Sequence, residues 1–87
     1  MNKTFLNEGD IMVIYELYKI ENGVYYYNYY PQGNMDAPGL ITITEDGQRG
    51  IVSISKNDIQ NIYDGTVWRW LSKPNQIGTV KGELPMF

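Results

Sequence analysis

The chain contains neither histidine nor cysteine, so thiol nucleophiles, His-based triads and the usual zinc sites are out of reach. Proton transfer or covalent chemistry would fall to carboxylates, Lys, Tyr or Ser. From Glu16 onward the acids are Glu16, Glu21, Asp36, Glu45, Asp46, Asp58, Asp64 and Glu83, scattered over what read as turns and caps. Two carboxylates meeting across a fold could support glycosidic chemistry, yet 87 residues make a small scaffold for it. The stretch "GNMDAPG" lacks the Lys and Ser/Thr of a phosphate loop and the alternating acids of a calcium loop. The sequon Asn2-Lys3-Thr4 matters only in a secreted protein. The expectation is a protein that is not an enzyme, with no catalytic residues, no metal and no cofactor.

The other conspicuous chemistry is aromatic. "VYYYNYY", Val24 to Tyr30, places five tyrosines in seven residues. Tyrosine is enriched at protein interfaces, and it also stacks sugar rings and unpaired bases. Charge discriminates between these uses. Net charge is −3 with a pI near 4.7, and Lys and Arg occur singly, without the basic stripe that phosphate binding requires. Nucleic acid is therefore disfavoured, as is docking on anionic membranes. No apolar run approaches the ~20 residues that span a bilayer, and "MNKTFLNEGD" has no hydrophobic signal core. Together with the absence of cysteine, this fits a cytoplasmic protein.

The elements that must position these groups begin with "IMVIYELYKI", residues 11–20, whose β-branched and aromatic residues suit a strand while its apolar spacing also fits a helix. Asn22-Gly23 decides for a hairpin, because a type I′ turn needs positive φ at both central positions. A two-residue loop pairs Ile20 with Tyr25, Tyr18 with Tyr27, Glu16 with Tyr29 and Tyr15 with Tyr30, and direct partners share a face. One face then carries Ile14, Tyr18, Ile20, Tyr25, Tyr27 and Tyr29, with Glu16 its only charge. The other carries Val13, Tyr15, Leu17, Lys19, Val24, Tyr26, Asn28 and Tyr30.

"PQGNMDAPG" reads as a loop, with Asp36 a turn residue. In "LITITEDGQRGIVSIS" the same logic at Asp46-Gly47 predicts a second hairpin pairing Ile41 with Val52, Ile43 with Gly50 and Gly39 with Ile54. Ile41, Ile43, Val52 and Ile54 then form one apolar face. Ser55 as cap and Asp58 three residues later predict a helix start. Ile59, Ile62, Tyr63, Thr66, Val67, Trp70 and Leu71 continue it as one stripe, giving a helix over residues 56–72 that Pro74 ends. Gly65 costs ~1 kcal/mol relative to Ala inside a helix and can bend or split it. The competing reading ends the helix at Asp64 and makes "TVWRWL" a strand with Trp68 and Trp70 on one face. The tail offers a short edge strand around Gly78 to Lys81.

The N-terminus poses a separate question. Reverse-translated, "NEGDIM" can read AAT GAA GGA GAT ATT ATG, a bacterial ribosome-binding sequence followed by a start codon. The domain division that follows is an extension over residues 1–11, with Met12 the natural start, and a single small domain over 12–87. "YYYNYYPQG" with Pro38-Gly39, a β-hairpin and an amphipathic helix also resembles small uncharacterised proteins of Gram-positive bacteria and their phages, over residues 12 to about 75. That resemblance implies a bacterial or phage origin and no catalytic or binding residues.

The fold expected is α+β: a four-stranded antiparallel sheet of two hairpins, with room for a short fifth edge strand, and one helix packed on one face. Tyr25, Tyr27 and Tyr29 go to the core, sending hydroxyls to its rim. Tyr15, Tyr26 and Tyr30 are left on the open face as a candidate binding surface. Trp68 and Arg69, on the outer side of the helix, form a competing one. The function expected is a protein–protein interaction module, a homodimer through its tyrosine face or edge strand. The alternative is a ligand-binding sheet stacking sugars or unpaired bases.

Overall fold

The computed structural model describes residues 12–85; the N-terminal extension and the question of the start at Met12 lie outside them. Five strands, β1 (Met12–Glu21), β2 (Val24–Pro31), β3 (Gly39–Thr44), β4 (Arg49–Ser53) and β5 (Lys81–Pro85), form one antiparallel sheet in the order β4-β3-β2-β1-β5. Helix α1 (Ile62–Leu71) follows β4 at one edge and delivers the chain to β5 at the other, packing on β1, β2 and β3 as it crosses. The protein is thus α+β, with the expected two hairpins and a fifth strand that lies at 81–85 rather than around 78–81. No helix of the described residues is long and apolar enough to cross a membrane.

Asn22 (φ 54°) and Gly23 (φ 79°) adopt the positive φ values of a type I′ turn. The expected register holds only as far as Lys19–Tyr26. Tyr18 is then bulged out, and beyond it Leu17 pairs with Tyr27, Tyr15 with Tyr29 and Ile14 with Tyr30. One extra residue in a strand moves every later side chain to the opposite face. Val13 and Tyr15 consequently enter the core and Tyr18 is exposed; Ile20 keeps its expected partner Tyr25 yet is exposed as well.

The second hairpin departs by one residue as well. The Thr44 N–H donates to the Gln48 carbonyl (3.0 Å) and the Gly47 N–H to the Thr44 carbonyl (2.9 Å), closing a three-residue loop with Gly47 at φ 90°. The Thr44 hydroxyl donates to the Asp46 carboxylate and accepts the Gln48 N–H, which holds this longer loop. Ile41 therefore pairs with Ile51 and Ile43 with Arg49; a bulge at Val52 then restores the expected register at Leu40–Ser53, and Val52 and Ile54 are exposed instead of sharing the core face.

Residues 56–61 are turns rather than the first part of a helix. The Asp58 N–H donates to the Ser55 carbonyl and the Asn61 N–H to the Asp58 carbonyl, with Asn61 left-handed at φ 57°. Ile59 is 89% exposed, so the stripe had no core to face there. From Ile62 the helix runs through Gly65 without interruption, excluding a strand over residues 66–71. The core joins Val13, Tyr15, Tyr27, Tyr29, Ile41 and Ile43 of the sheet to Val67, Trp68 and Leu71 of α1 and to Leu84 of β5.

Candidate functional site

Two core tyrosines owe their positions to glycines. Tyr15 pairs directly with Gly82 and Tyr29 with Gly39, and in each pair a Cβ on the glycine would fall inside the tyrosine ring. Each ring approaches its partner strand closely because that strand has no side chain there. Tyr15 also meets Tyr27 edge to face, with centroids 5.8 Å apart.

The hydroxyls of the buried set are individually accommodated. Tyr27 donates to the Thr79 carbonyl and accepts the Gly78 N–H, both at 2.9 Å. Tyr29 donates to Asp58 Oδ2 (3.0 Å) and accepts the Ser55 N–H (3.2 Å). At the rim, Tyr25 donates to Glu45 Oε2 (3.0 Å). The Tyr15 hydroxyl lies beside Trp70 and Thr79, whose influence only partly offsets the rise in its pKa caused by burial. Burial likewise raises the pKa of Tyr27 and Tyr29.

Asp58 is the true cap of α1. Its carboxylate accepts the backbone N–H groups of Tyr63 and Asp64, both at 3.1 Å, together with the Tyr29 hydroxyl. Ser55, read as the cap from sequence, instead donates to the Ala37 carbonyl (2.6 Å) and accepts the Asn57 N–H (3.1 Å), tying the 32–38 loop to the turns before the helix. Beside this network Asp64 is fully buried, and neither of its side-chain oxygens has a hydrogen-bond partner. Burial foremost, and the Asp58 charge next, raise its pKa. Asp58 and Asp64 are 1% and 0% exposed, so this carboxyl pair has no face to offer a substrate. Among the described residues, no three His, Cys, Asp or Glu side chains group closely enough to hold a metal ion.

The expected binding residues are dispersed. Tyr15 is in the core, carried there by the bulge at Tyr18. Tyr26 is half-buried on the sheet face away from α1, with Lys19 Nζ 4.6 Å from its ring centre. Tyr30 lies on that same face but is only 8% exposed. Trp68, expected on the outer side of the helix, is also 8% exposed, and its indole N–H donates to the Thr42 carbonyl (3.1 Å). The Arg49 guanidinium sits 5.6 Å from the Trp68 ring centre. Arg69 is exposed and faces a different feature, a groove it lines with Thr66, Trp70, Lys73, Leu84 and Pro85.

Exposed apolar surface concentrates elsewhere. On edge strand β4 and just beyond it, Ile51, Val52 and Ile54 are 47%, 56% and 39% exposed. Alternation placed Val52 and Ile54 over the core and Ile51 on the other face; a turn one residue longer and a bulge at Val52 changed that pattern. No family model, curated protein or solved structure matches the chain.

Proposed function

We propose that the protein is a non-enzymatic protein–protein interaction module that self-associates through the free edge of β4. The observation that carries this reading is the row Ile51 and Val52, with Ile54 just beyond, exposed on a strand that among the described residues has no neighbour on one side. Unpaired strand edges are templates for another strand, and proteins that stay monomeric usually blunt them with charge. Here the only charged residue in β4 is Arg49, at one end and drawn over Trp68, and a bulge at Val52 is the one irregularity of the strand.

A second copy is the complementary occupant. Two β4 strands paired antiparallel about Ile51 set Gly50 against Val52 and Arg49 against Ser53, so no like charges oppose. The same register brings Asp46 of one copy level with Lys56 of the other. Such a two-fold contact is closed and self-limiting. The open face supports a stacking surface less well: its one half-exposed tyrosine, Tyr26, already carries Lys19 on its ring, and Tyr30 is buried.

Sedimentation velocity tests the reading. The wild type should sediment as a concentration-dependent dimer, and Val52→Lys as a folded monomer with an unchanged melting temperature. A wild type that remains monomeric at every accessible concentration would overturn it.

A further inference from the structure

At the opposite edge of the sheet, α1 and β5 enclose a groove of about 390 Å³. Trp70, Leu84 and Pro85 supply its apolar lining, and Arg69 and Lys73 project from the helix side. We propose that this groove binds an extended segment of a partner protein that presents a large apolar side chain flanked by carboxylates. The inference goes beyond the β4 contact and does not depend on it.

Charge carries the first part of the argument. The chain has seven basic residues against ten acidic ones, yet two of the seven border one apolar groove. The ion pair among the described residues is Lys19–Glu21, so neither Arg69 nor Lys73 is neutralised by a carboxylate there. A cation in the last turn of a helix is favoured by the helix dipole, which accounts for Arg69. It does not account for a second cation, beyond the helix end, lining the same groove. An arginine offers a bidentate fork to a carboxylate, and a lysine adds a compact charge beside it.

Shape carries the second part. The volume lies at the low end of the ~300–1,000 Å³ of ligand pockets, which suits a side chain better than a cofactor. The groove is bordered by β5, which among the described residues pairs on one side only, with β1. A segment added there forms main-chain hydrogen bonds while alternate side chains enter the groove, the mode known as β-augmentation. Pro85 lacks an N–H and confines that ladder to Lys81–Leu84.

The test is a titration of the full chain with the peptide acetyl-Asp-Phe-Asp-Leu-Asp-amide, followed by ¹H–¹⁵N NMR. The Trp70 indole and the Gly82 and Glu83 amides should shift and saturate. The double variant Arg69→Glu/Lys73→Glu, with both sites exposed and its spectrum still dispersed, should bind roughly tenfold more weakly or worse. The same peptide with Lys in place of Asp should leave the wild type unshifted but perturb the double variant. Absence of shifts in the wild type would overturn the proposal, including the case where a second copy already fills the groove. So would binding that survives charge reversal, or shifts confined to β4.

Discussion

Tyr29 and Tyr30 are adjacent in β2, and both are largely removed from water, yet only one is built into the protein's framework. The Tyr29 ring lies on Gly39, and its hydroxyl joins Ser55 to Asp58 and, through Asp58, to the first turn of α1. Tyr30 and Tyr26 lie on the other face. Burial and the Glu16 charge raise the Tyr30 pKa, while Tyr26 is partnered by the exposed Lys19. The two faces show that a tyrosine's structural weight comes from what its hydroxyl and its ring floor are tied to. Being buried is not enough.

The sharpest way to break that comparison is Tyr29→Ala. Removing a large buried aromatic side chain costs ~3–5 kcal/mol, and here it also leaves the Ser55 N–H without its acceptor and removes a donor from Asp58. Urea denaturation should show a loss of that size. A loss near 1 kcal/mol would mean that the two faces are equivalent.

Next in size are the glycines. Gly82→Ala and Gly39→Ala drive a methyl group into the Tyr15 and Tyr29 rings, respectively. Overpacking of this kind costs ~1–3 kcal/mol. Gly65→Ala is the control, since a Cβ there meets open space and should stabilise the helix by up to ~1 kcal/mol. Thermal melts of the three variants should therefore move in opposite directions.

These glycines also mark where sequence reasoning stops. Asn22-Gly23 announced its turn because only two positive-φ residues in succession permit it. The bulge at Tyr18 was illegible because β1 is apolar on both faces. Val13, Tyr15 and Leu17 compete with Ile14, Tyr18 and Ile20 for the core, and pattern alone assigns no cost to either choice. Tertiary pairing decided it: Leu84 and Gly82 of β5 receive Val13 and Tyr15, a contact more than sixty positions away in the chain. Asp46-Gly47 suits two-residue and three-residue loops alike, which left the placement of Ile51 and Val52 open to error by one position. At the helix start, Ser55 and Asp58 were the right residues. Their roles differ from those the spacing suggested, because Asn61 interrupts the chain between Asp58 and the helix it caps.

Asp64 distinguishes the helix-covered face by its response to pH. Its carboxyl holds a proton more tightly in the folded chain than at its ordinary value of 3.8, because burial disfavours the charge. A raised folded-state pKa adds stability that is complete below the unfolded value and is lost as pH rises through the folded one. Wild-type stability should therefore fall with rising pH in that window, and Asp64→Asn should abolish the fall. A profile that instead rises through the same window in the wild type alone would show Asp64 ionised and paired. The raised pKa values of Tyr15, Tyr27 and Tyr29 act with the same sign above pH 10.

The smallest expected effect belongs to Tyr26. Its ring is half-buried and its neighbour is an exposed lysine, so Tyr26→Ser loses little beyond the cation–π contact. Such contacts contribute ~0.5–1 kcal/mol at exposed sites, and stability should drop by about that amount. Self-association should be unchanged, because the proposed contact runs along β4, with β3 lying between it and β2. Paired sedimentation runs on Tyr26→Ser and Val52→Lys separate the two surfaces. The edge contact requires dissociation by the lysine and none by the serine. The reverse outcome, a dimer that survives Val52→Lys and falls apart with Tyr26→Ser, would place the interface on the open tyrosine face and make the exposed row on β4 incidental.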